Sequence, residues 1–312
     1  MNVLRKESLF WSEAFGVAGS AMPLILTRTL MVGAFALLIT IVDLNAALPD
    51  LGIDVTPFEV AGGALSLLLV LRTNAGYDRW WEGRRLWGGI VNQCRNLAIA
   101  SLSYGPDDPV WRDRIVRRAV AFAHVTRRSL RGERPAAELV ALLGTDEAGH
   151  ISSADHMPSA VACLVGESVR DARDRLGLDG FALLRVDQER ATLIDHVGGC
   201  ERILKTPLPL AYRIEIRRFL ILFLASLPFA LVDKIEWLTP VVSLLVALPL
   251  LAIDKIGTEL ECPFSTESLN HLPLDEICAT IEQNLFSLLA ADAAFKVGLD
   301  DREPNHSAPE TI

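Results

Sequence analysis

From Val60 to Leu71 the chain carries no charged residue. Three further segments are nearly as free of charge: Met22 to Val42, interrupted only by Arg28, then Phe219 to Val232 and Pro240 to Ile253. Exposing apolar surface to water costs about 25 cal/mol per Å², so such segments bury themselves either in a protein core or in a bilayer. Length separates the two outcomes poorly. A single span needs about 20 apolar residues, and Pro57 to Leu71, Phe219 to Val232 and Pro240 to Ile253 are shorter. Composition favours the bilayer, since 51% of the residues are apolar and the mean hydropathy is +0.31, high for a soluble globular chain.

The charges around these segments are distributed unevenly. The link from Asp43 to Glu59 holds four acids and no lysine or arginine, and the link from Asp233 to Glu236 is a short turn with one lysine. Arg28, Arg72, Arg79, Arg84, Arg85, Arg213, Arg217, Arg218 and Lys255 all fall on the other side of a four-span arrangement. This positive-inside pattern predicts a multi-pass protein of the cell membrane with both termini in the cytoplasm. No cleavable signal peptide is expected, because Arg5, Glu7 and Glu13 interrupt the first residues.

Two spans carry start signals. Thr56 is expected as N-cap of the second, with Pro57 in the first helical position and Glu59 completing a capping box. Thr239 and Pro240 repeat the cap-plus-proline signal. Between the second and third segments, Trp111 to Arg131 places Ile115, Val116, Ala119, Val120, Phe122 and Ala123 between arginines. A polar stretch with Gly144, Gly149, Ser152, Ser153 and Pro158 breaks the pattern, and Ser159 to Leu176 and Phe181 to His196 read as further helices. Asp275 to Ala291 is amphipathic, with Ile277, Ile281 and Leu285 on one face. The expected fold is therefore all-α and integral to the membrane, a single domain throughout. Its membrane helices lie at about 22–45, 57–80, 214–233 and 239–255, its helical cytoplasmic region at about 81–213 and 256–295, and a disordered tail at about 300–312.

Signs of catalysis are lacking. The sequence has no GxGxxG, P-loop, HExxH or GxSxG motif. His124, His150, His156, His196, His271 and His306 lie far apart without metal-binding spacing, and Glu259 and Glu261 cannot share a helix face. Cys94, Cys163, Cys200, Cys262 and Cys278 are odd in number and without CxxC spacing, so they read as reduced packing residues. A net charge of −9 argues against nucleic acid as a partner. No catalytic residue, metal site or cofactor is expected. Gly63, Leu67 and Leu71 recur at i, i+4 and i+8, a stripe that in a ring of identical helices forms an apolar constriction; ordinary helix packing or lipid contact gives the same stripe.

Arg79, Trp80, Trp81, Glu82 and the continuing "GRRLWGG" resemble the shorter, bacterial branch of the bestrophin family. The likeness extends to "GGCERILKTPLPLAY", "LPFALVDKIEWLTPVVSLL" and "GTELECPFSTESLNHLPLDEICATIEQNL", in that order. The resemblance implies a homopentameric ion channel with four membrane helices per subunit, whose partners are copies of itself, the lipid bilayer and small inorganic ions. It also implies a hydrophobic neck at Gly63, Leu67 and Leu71 and a cytoplasmic aperture at Phe181. Arg79, Trp80, Trp81 and Trp87 are expected as motif residues and interfacial anchors. Two departures stand out. Gly63 replaces a bulky apolar residue, and Ser265, Thr266, Glu267 and Ser268 hold one acid where animal members carry a run of them. One acid supplies too few of the six to eight oxygens that calcium takes, so calcium gating of the animal kind is not expected; divalent binding near residues 263–275 stays open. Arg72 below the neck would attract anions, and Asp78, Asp43, Asp50 and Asp54 would attract cations. The sequence reading is a chloride or other anion channel, with a sodium or potassium channel of the same fold as the alternative. A membrane scaffold or transporter subunit and a soluble helical enzyme are the remaining rivals.

Overall fold

The computed structural model describes residues 16, 21–46, 53–134 and 137–300. Residues 1–15, Asp50 and the tail beyond residue 300 lie outside the described residues, so the expectations for them are not addressed. The described residues form ten α-helices and contain no strand. They are α1 (Met22–Ala46), α2 (Thr56–Tyr104), α3 (Pro109–Leu130), α4 (Ala137–Leu143), α5 (Thr145–Ser153), α6 (Met157–Leu176), α7 (Gly180–Lys205), α8 (Leu210–Ile235), α9 (Thr239–Leu260) and α10 (Leu274–Asp300). They fall into two compact units, Met1–Glu82 with Thr206–His271 and Gly83–Lys205 with Leu272–Ile312. The division follows side-chain chemistry. The first unit holds the apolar helices, and the second holds amphipathic helices whose arginines need acidic partners.

Among the described residues, three helical stretches are long and apolar enough to cross a membrane: Met22–Asn45, Thr56–Tyr104 and Leu210–Leu260. The third contains α8 and α9, separated by a 3-10 turn at Glu236–Leu238 in which Glu236 has φ 44°. The two helices pack on each other, so this stretch is a hairpin. A buried cluster ties all four helices together, with Ile25 from α1, Leu65 and Leu69 from α2, Leu220, Phe223, Leu224 and Leu227 from α8, and Ala247, Leu250 and Leu251 from α9. Phe35 meets Phe229 edge-on at 6.2 Å, and a Cβ at Gly33 would lie 2.7 Å from Leu244 Cδ2. Phe58 lies beside Phe223, and Lys234 reaches Asp54 at 3.6 Å, so α2 runs antiparallel to α8.

Both expected caps are displaced. Thr56 is the first helical residue rather than the cap, and its Oγ1–H donates to Asp54 Oδ2 at 2.9 Å. The Thr56 hydrogen bond, with the Lys234 charge adding to it, holds the Asp54 carboxyl below its ordinary range. Thr239 is likewise inside α9, following Leu238 in the cap position without a side-chain cap bond, because the preceding 3-10 turn already occupies that geometry.

In the second unit, α3 packs against α6, α7, α10 and the short α4. Its start is capped by Asp108, whose carboxylate accepts from Trp111 N at 2.7 Å. The sequence showed an apolar face between arginines, but α3 is buried almost all round, and Arg112, Arg118 and Arg127 are buried with it. Each has an acidic partner: Arg112 pairs with Asp292 at 2.5 Å, Arg118 with Glu147 at 2.5 Å, and Arg127 with Glu138 at 2.8 Å and Asp275 at 3.0 Å. On α10 the buried face is Leu274, Cys278, Ile281 and Leu285, and Ile277 is only half-buried. Three cysteines are buried and two, Cys163 and Cys262, are exposed. Burial pushes the Cys278 thiol up to about 12, so it stays protonated and packs as a small apolar group.

Burial raises the carboxyls of Glu138 and Asp275, but hydrogen bonds from Arg128 and Arg131 and the Arg127 charge outweigh it and hold both below the ordinary carboxylate range. Groups depressed in the folded state contribute stability above about pH 4 that is lost as pH falls through their folded values. Arg131→Gln is expected to lower thermal stability at pH 7 and to flatten its decline below about pH 4, read as helix content of the detergent-solubilised protein across a pH series. In the first unit, a Cβ at Gly76 would lie 2.9 Å from Gly257 O, whereas one at Gly63 meets nothing within 4 Å. Gly76→Leu is therefore expected to reduce the yield of folded protein on size exclusion, and Gly63→Leu to leave it unchanged.

Candidate functional site

The membrane-type portion of α2 has two contrasting faces. Leu65, Leu69, Arg72 and Gly76 are buried, and Leu65 and Leu69 have no exposure at all. About half a turn away at 100° per residue lie Gly63, Leu67, Leu71, Asn74 and Asp78, all exposed in the single chain. Leu67 is 60% exposed and Leu71 51%, so the stripe expected from spacing is one continuous surface without fixed charge down to Leu71.

Arg72 is on the opposite face, not below Leu71 on the same one, and is only 1% exposed. It sits among three helices. Its Nη1 pairs with Asp254, and its Nη2 donates to Thr258 Oγ1 at 2.9 Å and Glu261 Oε1 at 3.2 Å. From α8, Arg213 lies 3.3 Å from Glu261 and Arg217 lies 3.6 Å from Asp254; Arg217 also donates to Thr258 at 3.2 Å. Two buried carboxylates thus serve three guanidinium groups. Lys255 and Glu259 form a neighbouring pair at 2.5 Å, and Glu259 accepts from Leu269 N at 2.7 Å. The sequence reading passed over Arg213, Arg217, Asp254, Thr258 and Glu261 as a constellation. A signal was present: Asp254, Thr258 and Glu261 recur at i, i+4 and i+7 on a mostly apolar helix, and Arg213 and Arg217 at i and i+4.

The Arg-Trp-Trp motif continues this scaffold. Arg79 donates to Thr206 O at 2.7 Å and Glu261 O at 3.3 Å, and Trp80 Nε1–H donates to Asn270 O at 2.7 Å. Trp81 is 47% exposed and stacks parallel to Tyr77, and Asp78 is exposed beside it. Trp87 corrects the expectation of an interfacial anchor, because it is wholly buried within the second unit. Phe181, also in the second unit, is 84% exposed at the start of α7. Asp179 Oδ2 accepts from Phe181 N at 2.9 Å and Ala182 N at 3.3 Å, which caps the helix and fixes the ring's departure point.

Among the described residues no three His, Cys, Asp or Glu side chains come together to hold a metal ion. His124 and His156 pair with Glu282 at 2.9 Å and Glu201 at 2.6 Å, within the helical packing of the second unit.

A family model described as "Bacterial/Fungal Bestrophin protein" matches residues 2–287. A voltage-dependent anion channel-forming protein of Nostoc sp. is 36% identical over 296 residues, covering 92% of this chain and 94% of the relative. A protein of the same description from Escherichia coli K12 is 32% identical over 288 residues, 92% and 93% of the two chains. Among solved structures, a bacterial bestrophin homologue from Klebsiella pneumoniae matches with a TM-score of 0.80 at 32% identity, covering 85% of this chain and 98% of that one.

Removing one partner of a buried ion pair strands the other charge, at a cost of about 3–5 kcal/mol. Asp254→Asn and Arg72→Gln are each expected to lower the melting temperature in detergent markedly, and the double variant to lose less than the sum of the two. Additive losses would contradict the direct pairing.

Proposed function

This chain belongs to the bestrophin family, whose members are ion channels and not enzymes, and on that premise we propose that it forms a passive anion channel in the cell membrane. Five copies of the chain surround an axial pore. The observation that carries this reading is the uncharged, exposed stripe of Gly63, Leu67 and Leu71 on a helix whose opposite face is fixed by buried side chains. Helices placed around an axis with this stripe inward make an apolar neck that gates by dewetting. Gly63 leaves two leucine rings, with a wider mouth above them.

Four helices span the bilayer in each subunit, α1, the first part of α2, α8 and α9. Charge segregation within the first unit supports the orientation: Lys234 stands with Asp54 at one end, whereas Arg72, Arg79, Arg213, Arg217 and Lys255 gather around the last turns of α9 at the other. That cationic end faces the cytoplasm, as do both termini. Phe181 forms the second constriction, and chloride is the principal permeant ion. The names of the relatives, anion channel-forming proteins, support the sign of the ion.

One observation favours a second reading, a monovalent cation channel. Arg72 is neutralised and buried, while Asp78 is the exposed charge on the stripe below Leu71. A ring of carboxylates would attract cations.

Reversal potentials across a salt gradient with one large impermeant ion distinguish the two: a potential near that of chloride is expected, and one near that of the cation would establish the second reading. Leu67→Ala and Leu71→Ala are expected to raise ion flux into proteoliposomes, and unchanged flux in both would remove the neck assignment. A purified particle without five-fold symmetry would sink the pentameric pore.

A further inference from the structure

In the first unit, α1, α8 and Leu251 of α9 line an open cavity of about 380 Å³, with Met31, Val32, Phe35, Leu220 and Leu224 on its walls and Ile221 and Ala225 on its exposed side. Arg28 is the one charged residue on its lining. Among the described residues Arg28 makes no hydrogen bond or ion pair, and the acids of α8 and α9 at this level are engaged elsewhere. Glu215 pairs with Arg218, Asp254 with Arg72 and Arg217, Glu259 with Lys255, and Glu261 with Arg72 and Arg213. An unpaired guanidinium at the edge of an apolar cavity is costly in hydrocarbon, and the apolar walls offer it no acceptor.

We propose that this cavity is a binding site for an anionic phospholipid of the bilayer, an acyl chain lying between α1 and α8 and the phosphate on Arg28. The inference rests on the membrane reading above. The dimensions agree: Arg28 to Phe35 is about 10 Å of helix rise, which fits within one leaflet of a hydrocarbon core about 30 Å thick. The electrostatics agree as well. Arg218, exposed and paired only along its own helix to Glu215, stands one turn before Ile221 on α8, so a second cation lies towards the same membrane surface as Arg28. Basic groups bordering a pocket between membrane helices select acidic headgroups, and the guanidinium fork matches phosphate geometry.

The test uses the purified full-length assembly, exchanged into micelles with equal phosphatidylglycerol and phosphatidylcholine, with retained lipid counted by native mass spectrometry. The unaltered protein is expected to retain phosphatidylglycerol preferentially. Arg28→Gln should reduce that preference about five-fold, Arg28→Lys should keep most of it, and Ala225→Trp should fill the cavity and reduce retention of both lipids. Elution volume checks that each variant is folded. Equal retention of the two lipids by the unaltered protein, or an unchanged count in either Arg28→Gln or Ala225→Trp, overturns the site; so does absence of retained lipid, the result expected if a second copy of the chain covers the cavity. Ion flux measured after reconstituting the same preparations into proteoliposomes separates the two readings, because absence of conduction with intact lipid selectivity counts against the channel and leaves the lipid site standing.

Discussion

A guanidinium buried between apolar helices constrains the rest of the first unit. Arg72 is 1% exposed, and a charge removed from water costs several kcal/mol unless it is paired and hydrogen-bonded. Asp254, Thr258 and Glu261 meet that need only if α9 lies close beside α2. Close approach in turn requires small residues at the crossing, and Gly76 against Gly257 supplies them. Once this face of α2 is committed to α8 and α9, helix geometry turns Leu67 and Leu71 away from it.

The same network changes how charge bears on conduction. Arg72, paired with two carboxylates, contributes little field at the opposite face of its helix, whereas the network as a whole, three guanidinium groups on two carboxylates, keeps a net positive charge. Asp78 is an exposed acid on the same face of the helix, beyond Leu71, while the relatives are named anion channel-forming proteins. In the proposed neck, which has no fixed charge, a leucine ring would set the barrier to hydration and leave sign discrimination to charges beyond it.

Much of this was legible in one dimension. The four apolar segments, the uneven charge and the Gly63, Leu67, Leu71 stripe follow from periodicity, because helix geometry converts spacing directly into faces. Local signals were less faithful. Thr56 and Thr239 look like caps, yet Thr56 is already helical with its hydroxyl donating to Asp54, and Thr239 follows a 3-10 turn, since capping depends on the path by which the chain enters the helix. In α3 the spacing shows one apolar face between arginines, whereas the helix is buried almost all round and Arg112, Arg118 and Arg127 pair with acids from other helices. Trp87 misled in the same way, lying in the core rather than at an interface.

The sequence by itself determined the family, the helical class and the apolar face of α2, because these depend on residue order over one to several turns. Only the tertiary structure decided what the charges do. Arg72 meets Asp254 across 182 positions of chain, and whether a charged side chain faces a pore or is neutralised in a core depends on partners that far apart. Local spacing carries no record of them, so the role of Arg72 passes from attracting ions to holding the helix that presents Leu67 and Leu71.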